Sequence, residues 1–265
     1  MAKERADVLC VSQGLFESRE KAKRAIMAGI VYNDNIRIDK AGEKVESTAE
    51  LRIKGKQMPY VSRGGLKLEK AINELNFDVK DKVMIDIGSS TGGFTDCALQ
   101  NGAKFVYALN QLVWKLRNDE RVKVMEQTNF RHSVKEDFDV YDIDIASIDV
   151  SFISLSLILP NLAEIIKDGG EVCALVKPQF EAGKDKVGKG GIVRDKKVQL
   201  EVVEKVLLLA NSVGFSMTNL SYSPITGGEG NIEFLMILKY NATKEVENKN
   251  INIEHIVNNA HNHFK

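Results

Sequence analysis

Residues 83–96 read VMIDIGSSTGGFTD, and their reading decides the fold. The run from Val83 to Ile87 is β-branched and apolar, and it stops at Gly88. Ser89, Ser90, Thr91, Gly92 and Gly93 then lead into a helix expected to start near Phe94. Glycines at such a turn permit positive φ and close backbone approach, and the free N–H groups of a helix's first turn hold anionic groups. The stretch therefore reads as the opening strand, turn and helix of a nucleotide-cofactor fold. The turn is Gly-x-x-x-Gly-Gly, which departs from the dinucleotide pattern Gly-x-Gly-x-x-Gly.

Downstream, apolar strands alternate with helical segments, which predicts a largely parallel sheet covered on both faces. Strands are expected near 83–87, 104–109, 122–126, 144–150, 171–176, 216–223 and 232–239, and helices near 94–101, 111–118, 155–167 and 196–213. Upstream, residues 1–57 differ in character. A short helix near 5–11, a second over 19–28 with Ser18 as its cap and Gly29 as its stop, and short alternating segments predict a small α+β module. Residues 58–62 read as a linker because Pro59 disfavours helix at Met58. Residues 61–75 follow with partly helical apolar spacing, the catalytic-type domain is expected over 63–240, and 241–265 form a polar tail, frayed or loosely docked.

The 265 residues hold 37 basic and 37 acidic side chains, so a polyanionic partner must be met by a local patch. Residues 1–60 carry 12 basic against 9 acidic groups, with Arg19, Lys21, Lys23 and Arg24 concentrated on the second helix. Cys10, Cys97 and Cys173 are far apart and odd in number, which argues against a disulfide framework or zinc site and fits a reducing cytoplasm. A targeting segment and a membrane-spanning segment are not expected.

Asp149 ends one buried strand, Lys177 ends the next and Glu233 opens a late one. Ligands of open α/β sheets bind outside the carboxyl ends of the strands, so Asp149 and Lys177 aim at one crevice. Taken alone, they also fit a structural ion pair capping the sheet, and Lys67 fits a solvated helix lysine.

Several stretches together resemble one family: SRGGLKL, DIGSSTGGFTDCALQNGAKFVYAL, QLVWKLRND, TNFRH, IDVSFISL, LVKPQFEAGKDKVGKGGIVRD and GGEGNIEF. They are similar to the TlyA, or hemolysin A, family of ribosomal-RNA 2′-O-methyltransferases, whose catalytic domain is FtsJ-like (RrmJ-like). Residues 5–54, which open RADVLCVSQGLFESREKAKRAIMAGIVYNDNIRIDKAGEKV, resemble the S-four type of RNA-binding domain. The resemblance implies a Rossmann-like class I methyltransferase sheet, S-adenosylmethionine as methyl donor and a ribose 2′-hydroxyl, typically of cytidine in ribosomal RNA, as acceptor. No metal is implied.

The family's Lys-Asp-Lys-Glu tetrad falls on Lys67, Asp149, Lys177 and Glu233. Methyl transfer from a sulfonium is an in-line displacement by a weak hydroxyl nucleophile, so positioning matters. The expected arrangement puts Lys177 on the hydroxyl, either stabilising the developing alkoxide or, if neutral, taking its proton, with Lys67 lowering the Lys177 pKa by like-charge repulsion and the two carboxylates orienting the lysines. Gly88, Ser89, Gly92, Gly93 and Phe94 are implied to wrap the cofactor's methionine and ribose, with Asp86 near the turn and Asn129 on the adenine side. Arg5, Arg19, Lys23, Arg24 and Lys40 are implied as RNA contacts.

One departure stands out. The family pattern implies a strand ending in an acid, then a short glycine-containing loop, before QLVWKLR. Here VYALN runs straight into Gln111, and the acid that would bind the ribose hydroxyls is absent. A true deletion would weaken cofactor binding, and a very short strand-to-helix connection argues instead that the sequence is short of residues here. Two other classes of function compete: an RNA-binding or ribosome-assembly protein with a weakened catalytic domain, and a membrane-active hemolysin.

Overall fold

The computed structural model describes residues 3–27, 29–54, 58–109 and 112–265. The chain divides into two compact units, 1–59 and 60–265.

In the smaller unit, β1 (Lys3–Arg5) runs into α1 (Ala6–Ser12), and α2 (Arg19–Met27) follows. Ser18 starts α2 as expected, its Oγ accepting from Lys21 N–H at 3.3 Å. Strands β2 (Val31–Asn33), β3 (Ile36–Arg37), β4 (Lys44–Glu46) and β5 (Leu51–Ile53) complete the module. The order β3-β2-β5 forms one antiparallel sheet, and β1 pairs with β4 in another. The β1–β4 ladder escapes sequence reading because KER and KVE carry no apolar run. Leu9, Cys10, Ala22, Ile26, Val31 and Ile38 form the core.

In the first turn of α1, the Asp7 carboxylate accepts from Arg5 Nε at 2.9 Å and Nη2 at 3.0 Å, and from Arg19 Nη2 at 3.1 Å. The Arg5 guanidinium, with Arg19 beyond it, holds the buried Asp7 carboxyl down at about 2.

The larger unit is built on a seven-stranded sheet. Its elements are α3 (Gly65–Glu74), β6 (Val83–Ile87), α4 (Gly93–Gln100), β7 (Phe105–Leu109), α5 (Trp114–Arg117), β8 (Val122–Met125) and β9 (Ile145–Ile148). They continue with α6 (Leu159–Ile165), β10 (Glu171–Val176), α7 (Pro178–Glu181), α8 (Lys196–Ser212), β11 (Phe215–Tyr222), β12 (Phe234–Tyr240) and α9 (Ile253–His263).

The strand order is β11-β12-β10-β9-β6-β7-β8. Strands β6 to β10 are parallel to one another, whereas β12 runs antiparallel to both β10 and β11. Progression reverses between β6 and β9, which is where an open sheet offers its ligand crevice. Leu68, Ala71, Phe94, Cys97 and Ala98 of α3 and α4 cover one face, and Leu159, Leu162, Val202, Val206 and Val257 of α6, α8 and α9 cover the other.

Some elements differ from expectation. The helix expected over 155–167 is a 3-10 turn, Leu155–Leu157, followed by α6, whose Pro160 suits a first turn because its missing N–H would have no partner there. Residues 60–62, expected in the linker, belong to the larger unit: the Tyr60 ring is buried against Gly65, and Val61 N–H donates to Asp96 Oδ2 at 2.8 Å. The end of the tail is a docked helix, with the Asn252 side chain accepting from His255 N–H and with Val257 and Ala260 buried. Its signal was the spacing Ile253, Ile256, Val257, Ala260, Phe264 inside polar sequence. Among the described residues no helix is long and apolar enough to cross a membrane.

A carboxyl held below its unfolded value stabilises the fold above that value and loses the contribution as pH falls. Asp7→Asn should therefore destabilise the smaller unit at pH 7 by about 1 kcal/mol, a figure discounted because Arg5 and Arg19 are half-exposed. In urea unfolding, the gap from wild type should narrow as pH drops through the range between ordinary carboxylates and about 2.

Candidate active site

A cavity of about 660 Å³ opens at the carboxyl ends of β6, β9 and β10, within the range of small-molecule sites. One wall is the turn between β6 and α4. Gly88 has φ +89°, and a Cβ there would lie 2.7 Å from the Asp149 carbonyl oxygen, so only glycine lets the two strand ends approach. Ser89 is fixed by donating its Oγ hydrogen to the Leu109 carbonyl at 2.7 Å. Gly88, Ser89, Gly93 and Phe94 line the cavity, as do Ser90 and Thr91.

Three residues expected on the cofactor stand elsewhere. Asp86 is fully buried behind the turn, where Thr95 Oγ1 donates to it at 2.7 Å and Ser147 Oγ at 2.9 Å. Every residue of β6 is buried, so alternation could not say which way Asp86 points. Gly92, at φ +99°, makes room for Leu116, whose Cδ1 would lie 2.4 Å from an added Cβ. Asn129 is exposed beyond β8 and its side chain accepts from Arg131 N–H, capping a 3-10 turn. None of the three lines the cavity. The departure at Asn110 and Gln111 lies outside the described residues.

The opposite wall carries the four charged residues. Lys67 Nζ donates to Glu233 Oε2 at 2.7 Å and stands 3.5 Å from Asp149 Oδ2. Lys177 Nζ meets Asp149 Oδ1 at 2.5 Å and donates to Ser151 Oγ at 3.2 Å. A continuous chain, Glu233, Lys67, Asp149, Lys177, Ser151, thus lies along the cavity. The lysine side chains are each 8% exposed, Glu233 is 2% exposed and Asp149 is 19% exposed. Two cations balance two anions, which is the condition for keeping ionised groups this far from water. Lys67 is no solvated helix lysine: α3 sinks Leu68 and Ala71 into the core and carries Lys67 inward. Gly227 leaves room for Glu233, since a Cβ there would lie 2.0 Å from Glu233 Oε1 and the carboxylate would have to move.

Two further lining residues were not read from sequence. Ser151 receives the Lys177 hydrogen bond. Phe152 has φ +63°, unusual for a bulky residue, and is 90% exposed with its ring 5.0 Å from that of Phe180. Strain and exposure in one aromatic at a cavity rim point to function. The signal was an aromatic three residues past Asp149 at the strand end, in IDVSF.

In the smaller unit, Lys23, Arg24 and Lys40 are exposed. Arg5 and Arg19 share Asp7, and Arg5 lies over the 40–42 loop, with Nη1 3.1 Å from where a Gly42 Cβ would be. Among the described residues no group of three or more His, Cys, Asp or Glu side chains is arranged to hold a metal ion.

Burial pushes the Asp86 carboxyl up to about 6, partly offset by the Thr95 and Ser147 hydroxyls. A carboxyl raised in the folded state stabilises while protonated and loses that contribution as pH rises through its folded value. Asp86→Asn cannot titrate. Its stability relative to wild type should climb by roughly 3 kcal/mol between pH 4 and 7, as denaturant titrations at each pH would report.

Comparison with known proteins places the chain in a family. Residues 60–240 match the FtsJ-like methyltransferase family and residues 4–51 the S4 domain. YqxC of Bacillus subtilis, named as a candidate rRNA methyltransferase, is 57% identical over 242 residues, covering 90% of this chain and 86% of its own. The 16S/23S rRNA (cytidine-2′-O)-methyltransferase TlyA of Mycobacterium tuberculosis is 35% identical over 258 residues, covering 93% and 94%. A solved structure of a candidate hemolysin from Streptococcus thermophilus superposes with a TM-score of 0.79 at 54% identity, covering 100% of this chain and 98% of that one. The chain belongs to the TlyA/hemolysin A family of FtsJ-like methyltransferases with an N-terminal S4 domain.

Proposed function

We propose that this protein transfers a methyl group to the 2′-hydroxyl of a cytidine ribose in ribosomal RNA, acting in the cytoplasm, with the smaller unit holding the RNA. The observation that carries the reading is the placement of Lys177 Nζ on the same cavity as the Gly88 turn, gripped by Asp149 and Ser151.

The residues present suit S-adenosylmethionine. The cavity is large enough, its turn is free of side-chain bulk at Gly88 and Gly93, and Ser89 and Phe94 add a polar and an aromatic surface. That donor supplies, when bound, an activated methyl group on a sulfonium. The chain's own contribution is to the acceptor. A ribose hydroxyl is a weak nucleophile, so it must be oriented and its oxygen's developing charge stabilised. Lys177 Nζ meets both needs, being a cation fixed from two sides that stabilises the oxygen while the hydroxyl proton passes to solvent and the oxygen gains the methyl group. Asp149 orients Lys177, and Lys67 with Glu233 orients Asp149 in turn. Phe152, exposed at the rim, offers a face on which a base can stack.

In the smaller unit, Lys23, Arg24 and Lys40 supply exposed positive charge for phosphates. Arg5 and Arg19, held by Asp7, present preorganised guanidinium edges. Non-catalytic RNA binding is the less favoured alternative, because all four charged groups of the tetrad are present and mutually engaged.

Lys177→Ala should lower transfer of labelled methyl groups onto ribosomal subunits by about 10²- to 10⁴-fold while calorimetry shows S-adenosylmethionine still bound. Undiminished transfer would remove Lys177 from this role. Reversing two charges, Lys23→Glu with Arg24→Glu, should weaken ribosomal RNA binding and flatten its salt dependence by a slope of about 2.

A further inference from the structure

Two segments carry the acceptor side of the cavity: 149–155 after β9 and 177–181 after β10. They touch through Lys177 to Asp149 and Ser151, and through the ring pair Phe152 and Phe180. A third link joins them. Glu181, the last residue of α7, is 5% exposed, and its Oε1 accepts from Leu155 N–H and its Oε2 from Ser154 Oγ, both at 2.7 Å. The Glu181 carbonyl accepts from Lys205 Nζ at 3.0 Å, tying the same residue to α8.

Resting on the functional reading above, we propose that Glu181 is a positioning residue: it clasps the segment after β9 to the segment after β10 and so fixes Phe152 and Lys177 toward the acceptor nucleotide.

The chemistry of the side chain suits such a clasp. An ionised carboxylate is acceptor-only with two oxygens, and here each oxygen meets one donor from the opposite segment. Keeping a carboxylate so far from water is costly, and burial pushes its pKa up against the pull of the Leu155 and Ser154 hydrogen bonds. An apolar residue of similar size would avoid that cost but leave the buried Leu155 N–H without an acceptor and cut the link to Ser154, so the carboxylate's effect here is the geometry it imposes.

What it fixes is the conformation of 149–154. Asp149 is anchored by its N–H to the Ile87 carbonyl at 3.0 Å, and Ser154 by Glu181. Between these anchors Phe152 adopts φ +63°, a conformation that persists only where the surroundings over-determine it. Ser154 also caps the 3-10 turn Leu155–Leu157 through Ser156 N–H at 3.1 Å, so the clasp and the turn share one hydroxyl.

The test uses full-length wild type, Glu181→Ala, Glu181→Gln, Ser154→Ala, Phe152→Ala and the Glu181→Ala/Phe152→Ala double variant. Kinetics are measured on ribosomal subunits, S-adenosylmethionine affinity by calorimetry, and hydrogen exchange over 150–157. Glu181→Ala should reduce kcat/KM by about tenfold or more, leave donor affinity within about twofold, and speed exchange over 150–157. Glu181→Gln, which keeps an oxygen for Leu155 N–H and an amide that can donate to Ser154 Oγ, should recover most activity. In the Phe152→Ala background the Glu181→Ala loss should shrink well below its single-variant size, the non-additivity of residues acting through one another. Ser154→Ala, which removes one arm of the clasp, should reproduce part of the effect if Glu181→Ala fails to fold.

Unchanged exchange in Glu181→Ala, an equal loss in both backgrounds, or a parallel fall in donor affinity would each overturn the proposal. A wild-type protein that transfers no methyl to ribosomal subunits would overturn the functional reading instead, and the exchange result would still decide whether the clasp exists.

Discussion

The charge balance of Glu233, Lys67, Asp149 and Lys177 is the constraint on which the site depends. Four ionised groups stand at a cavity wall with the lysines and Glu233 almost wholly withdrawn from water. Each is tolerable only because its neighbours are of opposite sign and within hydrogen-bonding reach. Removing one leaves another uncompensated, so the tetrad works as a unit. Its members come from α3, the end of β9, the end of β10 and the start of β12, so all four are paired only when these elements are in place.

That requirement gives the surrounding glycines and apolar residues their meaning. Gly88 lets the β6 turn meet the Asp149 backbone, Gly227 leaves room for Glu233, and Gly65 accepts the Tyr60 ring so that α3 can bring Lys67 inward. The apolar layers on both faces hold the strand ends in register. Asp86, beneath the turn, is paired with no cation among the described residues and relies on two hydroxyls instead.

Much of this was legible in the sequence, and the limits have physical causes. The apolar run into Gly88 and the strand ends at Asp149 and Lys177 carry local signals, so the sheet, its crevice and two of the four charged groups followed from pattern. Lys67 did not: on spacing alone it is a surface lysine, and only the family resemblance placed it, because its burial arises from how α3 docks. Asp86 was expected on the cofactor side because a wholly buried strand gives no alternation to orient its residues. Gly92 read as a cofactor contact but is used in packing Leu112 and Leu116. Phe152 and Glu181 were invisible because a positive φ and a clasp between two segments are tertiary facts. The antiparallel turn-back of β12, which delivers Glu233, has no marker in its apolar sequence.

If the charged wall prepares a ribose hydroxyl of ribosomal RNA, the modified atom itself is the most direct witness. Ribosomal subunits are incubated with labelled S-adenosylmethionine and the wild-type protein, and the label is then mapped by resistance to alkaline hydrolysis. Label is expected at one or a few cytidines, each leaving an alkali-resistant linkage on its 3′ side. Label on a base, or on no ribosomal RNA at all, would contradict that role for the wall.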